Sequence, residues 1–272
     1  MQNPAVISAA LQQRTDSSYA RKRGKQIQPL RGLRGVPARD VVEVLVESWR
    51  ASPLDLPDEA GPAHMLFTTA YEDGIVAIGL AAAALPDVPY EVLDLADRWI
   101  EIVDDVETAD ALGWLLFGPA LLASNEPFVP AVKELITHEH PMRRRVGILA
   151  CFSLMPTPIE GAAAAALRER LDQRRLAFVE EVMDDPLAEL LPLAIHDRVP
   201  MVRKCISRAF RTWGTFSPDR VEEVIAGARG GAPRYLRDEA TKGIKKGRRS
   251  LKQSVSSEES AGTTGPFRGG EI

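Results

Sequence analysis

The sequence predicts an all-α fold of stacked helical hairpins, and three observations predict it. Apolar residues recur at the 3.6-residue period of a helix along most of the chain. β-Branched residues fall inside that period and do not alternate as a strand requires. Pro- and Gly-containing breaks punctuate the chain at helix-length intervals, leaving about a dozen helical stretches whose connections are too short for anything but antiparallel neighbours. At 272 residues, 45% hydrophobic and 26% charged, the chain can bury a substantial core as one large domain or two small ones.

Residues 4–14 form a short helix in this reading. The stretch SSYARKRGKQIQPLRGLRG, at 17–35, is basic and poor in apolar residues. Residues 1–35 are therefore expected to be a basic, partly disordered N-terminal arm. Pro37 opens a helix over 38–51 that places Val41, Val44, Leu45 and Ser48 on one face, and SPLDLPDEAGP ends it. Helices follow at 63–73 and 74–85. YEVLDLADRWIEIV, at 90–103, is amphipathic with an acidic outer face. Next come DDVETADALGWLLFGPALLA at 104–123, FVPAVKELITHE beyond Pro127, and PMRRRVGILACFSLM from Pro141. EGAAAAALRERLDQRRLAFVEEVMDD, at 160–185, reads as strongly helical, and LAELLPLAIHD follows Pro186. Helices over 199–214, 217–231 and 233–247 close a domain spanning 36–247. Residues 248–272 read as a disordered tail.

Charge is distributed unevenly. The net charge is -4, yet residues 17–39 hold seven Lys or Arg and no acid, and residues 201–250 hold thirteen bases against five acids. Residues 91–140 hold eleven acids and two bases. A chain polarised in this way can bind a polyanion locally while remaining acidic overall. VPMVRKCISRAFRTWG, at 199–214, is the sharpest case. Lys204, Arg208 and Arg211 fall within about 60° of one another on a helical wheel, and Val202, Ile206, Ala209 and Trp213 lie opposite. Like charges on one face repel, so an extended anion such as a phosphate backbone is their natural partner; the alternative is a solvated surface face. YLRDEATKGIKK adds Arg237, Lys242, Lys245 and Lys246.

Cys151 and Cys205 occupy apolar helix positions and read as buried thiols in a reducing compartment, with no histidine at metal-ligand spacing. No metal and no cofactor are expected. The N-terminus lacks a basic-then-apolar signal, and the apolar run at 74–85 is too short to span a bilayer, so no membrane partner is expected either.

Two further features suggest a site. PMRRRV at 141–146 echoes PMVRKC at 200–205, and both resemble the second helix of a HEAT repeat. The echo aligns Arg145 with Lys204, so both should face one groove of a stacked array. In DDVETAD, at 104–110, a helix start explains Asp104, Asp105 and Glu107 through capping and the helix dipole. It does not explain Asp110, which lies further in. A carboxylate among arginines suits stabilisation of positive charge that develops during a reaction.

These landmarks together resemble the DNA alkylation repair enzymes of the AlkD type, which are bacterial HEAT-like DNA glycosylases. The resemblance spans roughly residues 27–247. LRGLRGVPARDVVEVL resembles the opening segment, VETAD the segment ending in the catalytic aspartate, and MRRRVGIL the Trp-x-x-Arg segment. VRKCISRAFRTWGTFSPDRV and YLRDEATKGI resemble the later DNA-facing and closing segments. The resemblance implies a HEAT-like helical-repeat solenoid with a concave DNA-binding groove. It makes Asp110 catalytic and Arg145 and Arg211 DNA-binding; Lys204, Arg208 and Arg144 are expected to add contacts to DNA. It implies excision of cationic N3- or N7-alkylpurines from duplex DNA without a tight base pocket. A groove that wraps a duplex needs no partner, so a monomer is expected, in the bacterial cytoplasm and on the nucleoid when bound. This chain departs from the pattern at Val106, Met142 and Arg208, where the family has aromatics, while Trp114 lies one turn beyond Asp110. Two other readings stay open: a non-catalytic HEAT-like binder of distorted or branched DNA, and a HEAT-type protein-interaction scaffold.

Overall fold

A computed structural model describes residues 1–27, 29–156 and 179–261, and no strand occurs among them. The helix expected over 160–185 falls largely outside the described residues. The described helices are α1 (Pro4–Gln13), α2 (Ser17–Arg23), α3 (Ala38–Ala51), α4 (Ala60–Thr69), α5 (Tyr71–Ala84) and α6 (Pro89–Ile100). They continue as α7 (Val106–Ser124), α8 (Phe128–Thr137), α9 (Pro141–Ala150) and α10 (Asp184–Leu190). α11 (Pro200–Phe216), α12 (Pro218–Ala226) and α13 (Arg234–Ala261) complete the set.

Proline sets several starts. α6, α9, α11 and α12 each carry Pro in the first turn, where its missing N–H has no intrahelical partner to lose. Asn125, at φ 59°, ends α7 in the left-handed conformation. From α3 onward the helices form two rows. α3, α5, α7, α9, α11 and α13 pack side by side as one row. α4, α6, α8, α10 and α12 lie behind them, joined by the contacts α4–α6, α8–α10 and α10–α12. The core runs between the rows, where Phe67 and Trp99 stack at 4.5 Å and 5°. The face predicted for 38–51 is correct, since Val41, Val44, Leu45 and Ser48 are all buried.

Three expectations are corrected. First, residues 1–35 are not a loose arm. Their arginines find acids far along the chain: Arg34 pairs with Asp73, Arg31 with Asp105, and Arg23 with Glu107. Buried Glu72 accepts the backbone N–H groups of Arg34, Gly35 and Val36 at 2.9, 2.7 and 3.1 Å. Gly35 has φ +85°, and a Cβ there would stand 2.3 Å from that of Ala20. Second, the apolar stretch expected to start at 74 begins a turn earlier, at Tyr71, because Glu72 and Asp73 are needed inside as partners for the arm. Third, the last helix does not stop at 247 but continues to Ala261. Polar sequence without Pro suffices there, because an established helix propagates cheaply.

α7 is 19 residues long and apolar enough to cross a membrane by length and composition. It packs against α5, α6 and α9, as a core helix does. Its middle, Leu112–Phe117, is a π-helical segment in which the Gly118 N–H reaches back five residues to the Gly113 carbonyl. Pro119 follows at once and cannot donate to the Leu115 carbonyl, which favours a widened turn there.

Candidate functional site

The first turn of α7 is wholly structural. Asp105 caps it, accepting from the N–H groups of Glu107 and Thr108 at 3.0 and 2.8 Å. Arg31 fastens the arm to that cap. It donates to Thr108 Oγ1 at 2.9 Å, Asp105 Oδ2 at 3.2 Å and the Phe67 carbonyl at 2.6 Å. The Glu107 carboxylate accepts from the Tyr71 hydroxyl at 2.6 Å, and burial together with that carboxylate pushes the phenol's pKa far up. Sequence reasoning missed Arg31, since nothing local to it signals partners so distant in the chain.

Asp110 stands one turn further in and takes no part in capping. Arg145, from α9, holds it with a two-pronged ion pair. Nη2 lies 2.8 Å from Oδ2, and Nε donates to Oδ1. A third donor, Nη1, goes to the Met201 carbonyl at the start of α11. Burial raises the pKa of Asp110 above 3.8, and the opposing pull of Arg145 and then Arg208 does not cancel it. The carboxylate retains 27% of its exposure and Arg145 only 10%. Arg145 was expected beside Lys204 in an open groove and is instead buried against Asp110, whereas Lys204 stays exposed.

Arg144, expected on DNA, is committed elsewhere. Its guanidinium donates to Asp197 at 2.6 Å and to the carbonyls of His138 and Glu139 at 3.0 and 2.7 Å. Asp197 in turn accepts from the Val199 N–H at 2.8 Å, so Arg144 fixes the entry to α11. Arg143 pairs with Glu101.

The two-faced reading of α11 is correct in its apolar half. Val202, Ile206, Ala209 and Trp213 are buried, and the Trp213 indole donates to Asp184 at 2.6 Å. On the opposite face Lys204 and Arg211 are exposed, with Arg211 3.5 Å from Glu239 of α13. Arg208 bends inward. Its guanidinium lies 4.9 Å from the Trp114 ring and 5.7 Å from the Phe152 ring, and it carries a positive charge toward Asp110. Arg203 covers Tyr235 at 4.1 Å, another contact the wheel did not reveal.

α11 and α13 approach backbone to backbone. A Cβ on Gly243 would stand 2.0 Å from the Arg211 carbonyl oxygen, and one on Gly247 2.6 Å from that of Gly214. This crossing brings Lys242 and Lys246 alongside Arg211. Two cavities open on it. One, of about 380 Å³, has Trp114 and Phe152 in its wall; the other, of about 700 Å³, includes Lys204, Tyr235, Asp238 and Glu239, and Arg208, Arg211 and Lys242 line both. Lys245 is exposed on the same helix. Glu239 tempers this face, its pKa lowered chiefly by a hydrogen bond from Lys242. Cys151 and Cys205 are buried, which pushes the Cys205 thiol up to about 12. Among the described residues no cluster of three or more His, Cys, Asp or Glu could hold a metal ion.

The arrangement thus offers one partly exposed carboxylate, held by a buried arginine, beside an exposed cationic surface. Comparison with known proteins gives a family: the model for "DNA alkylation repair enzyme" matches residues 7–244. No curated protein and no solved structure matches significantly.

Proposed function

The chain belongs to the DNA alkylation repair enzyme family, and from that premise we propose that it is a monofunctional glycosylase excising cationic N3- or N7-alkylpurines from duplex DNA. The observation that carries the reading is the placement of Asp110. This carboxylate caps nothing, remains 27% exposed, and sits on α7 with α9 between it and the cationic face of α11. In this reading the two rows wind as a HEAT-like superhelix, and the row holding α7, α9, α11 and α13 lines a concave groove. Lys204, Arg211, Lys242 and Lys246 take the phosphates. Arg145 positions the catalytic group and does not itself grip DNA. One duplex fills such a groove, so the protein acts as a monomer, in the cytoplasm and on the nucleoid.

The chemistry follows from the charges. The bond from C1′ to the purine nitrogen breaks, and its electron pair leaves with the base, which becomes neutral because it began as a cation. Positive charge moves to the sugar, where the Asp110 carboxylate stabilises it. Water adds to C1′, loses a proton to solvent, and leaves an abasic site. A reaction written this way calls on neither metal nor cofactor.

The test is release of free 7-methylguanine and 3-methyladenine from methylated duplex DNA, with wild type beside Asp110→Asn. Release by wild type and its loss in the variant support the reading; equal release by both refutes the role of Asp110. One observation favours a second reading, a non-catalytic binder of distorted or branched DNA: Arg145 already compensates the Asp110 charge. That reading predicts no release by either protein, with salt-sensitive DNA binding intact.

A further inference from the structure

Glu107 has two carboxylate oxygens, and the structural ties of the first turn of α7 use one of them. The Tyr71 hydroxyl, at the start of α5, donates to Oε2 at 2.6 Å, and Arg23, at the end of α2, donates to the same oxygen. Oε1 receives no hydrogen bond from the described residues, and the carboxylate keeps 38% of its exposure. Capping does not call for such a holder, because Asp105 already accepts the N–H groups of Glu107 and Thr108. Glu107 and Asp110 form an i, i+3 pair, so they share one face of α7 with about 5–6 Å between their Cβ atoms. They are close enough for the Glu107 charge to act on Asp110. Two like charges at this spacing weaken a helix, and a positive charge arriving between them relieves both.

Hydrolysis of a glycosyl cation needs two things once the base departs. One is negative charge near the sugar. The other is a water aimed at C1′, with an acceptor for its proton. Asp110 is well placed for the first and poorly for the second, because Arg145 engages both of its oxygens. Glu107 has the open oxygen that Asp110 lacks. We propose that Glu107 is a second catalytic carboxylate, which holds the attacking water through Oε1 and accepts its proton while Asp110 stabilises the sugar cation. The proposal rests on the glycosylase reading above. In the step itself the water oxygen gives an electron pair to C1′ and forms the new C–O bond. One proton passes to Glu107 Oε1 and from there to solvent, which the exposure of the carboxylate allows. Tyr71 and Arg23 are positioning residues, since by fixing Oε2 they hold Oε1 in one place. Tyr71 remains a donor throughout the working range, because burial and the Glu107 carboxylate push its pKa far up.

The test is single-turnover base release from methylated duplex DNA by wild type, Glu107→Gln, Arg23→Gln and Asp110→Asn. Glu107→Gln should slow release about a hundredfold, the scale of one general base. Sodium azide attacks without shedding a proton, so it should restore release in Glu107→Gln and not in Asp110→Asn. The acid limb of the pH profile is a second readout. Arginine stays cationic throughout, which covers Arg23 and Tyr71's neighbourhood on one side and Arg145 and Arg208 on the other. The Cys205 thiol, pushed up to about 12, and the Tyr71 hydroxyl, also pushed far up, stay protonated. The acid limb therefore belongs to the two carboxyls. Release should fall with the second power of proton concentration in wild type and with the first power in Glu107→Gln. Arg23→Gln cuts the same tie to the arm but keeps the carboxylate, so it should lose far less activity and keep both ionisations. Equal losses in Arg23→Gln and Glu107→Gln, without azide rescue, would mean that Glu107 only fastens the arm, and would overturn the proposal. Release by Glu107→Gln at the wild-type rate, with release lost in Asp110→Asn, would overturn it and leave the glycosylase reading standing. No release by wild type would overturn both.

Discussion

At the scale of single residues, the same kind of side chain serves opposite ends according to what faces it. Arg144, Arg145, Lys204 and Arg208 all sit near the starts or on the outer faces of helices. Asp197 and two carbonyls capture the first, Asp110 the second, two aromatic rings the fourth, and Lys204 alone among them stays exposed. The sequence revealed that Asp110 was surplus to capping, because the cap positions could be counted locally. It could not reveal that Arg145 would differ from Lys204, since the echo aligns them and only the fold places Asp110 opposite one of them. A pH prediction follows from that burial. The pKa of Asp110 is raised above 3.8, so base release should fall with acidity while an ordinary aspartate is still ionised. The sign for stability follows too. A carboxyl with a raised folded pKa contributes stability that is fully present below 3.8 and is lost as pH rises through the folded value. The unfolding free energy of wild type relative to Asp110→Asn should therefore decline as pH climbs through that window, as denaturant titration can measure.

At the scale of elements, helix type and order were legible because amphipathic periods and proline starts are local signals. The face of α3 and the buried stripe of α11 came directly from spacing. The π-helical turn in α7 was not legible, because it depends on how Pro119 and the packing of α9 bear on the same few carbonyls. The α11–α13 crossing was also hidden: glycines at 214, 243 and 247 look like helix-weakening residues until two backbones are seen to meet over them. Gly243→Val should force α13 off α11, since its Cβ would overlap the Arg211 carbonyl at 2.0 Å. A loss of about 1–3 kcal/mol or more is expected from such overpacking, read as a lower melting temperature. DNA affinity should weaken as well, as Lys242 and Lys246 move away from Arg211.

At the scale of the molecule, the negative net charge conceals a cationic surface on the last helices. DNA binding should lose affinity steeply with salt, and the slope separates phosphate contacts from internal ties. Lys204→Gln and Lys246→Gln should each lower the slope of log affinity against log salt by about 0.9, while Arg144→Gln should leave it unchanged. A flat slope in wild type would point to the scaffold reading. The strap formed by Arg31 has a consequence of another kind. In a stack of helical hairpins each unit touches only its neighbours, so such arrays can open piecemeal from either end. Arg31 reaches Phe67, Asp105 and Thr108 at once, the last two more than seventy positions along the chain. That closure binds the segment from α2 to the start of α7 into one cooperative block. Amide exchange should accordingly show α3 to α7 opening together, and Arg31→Met should split that block, while α11 to α13 exchange on a schedule of their own.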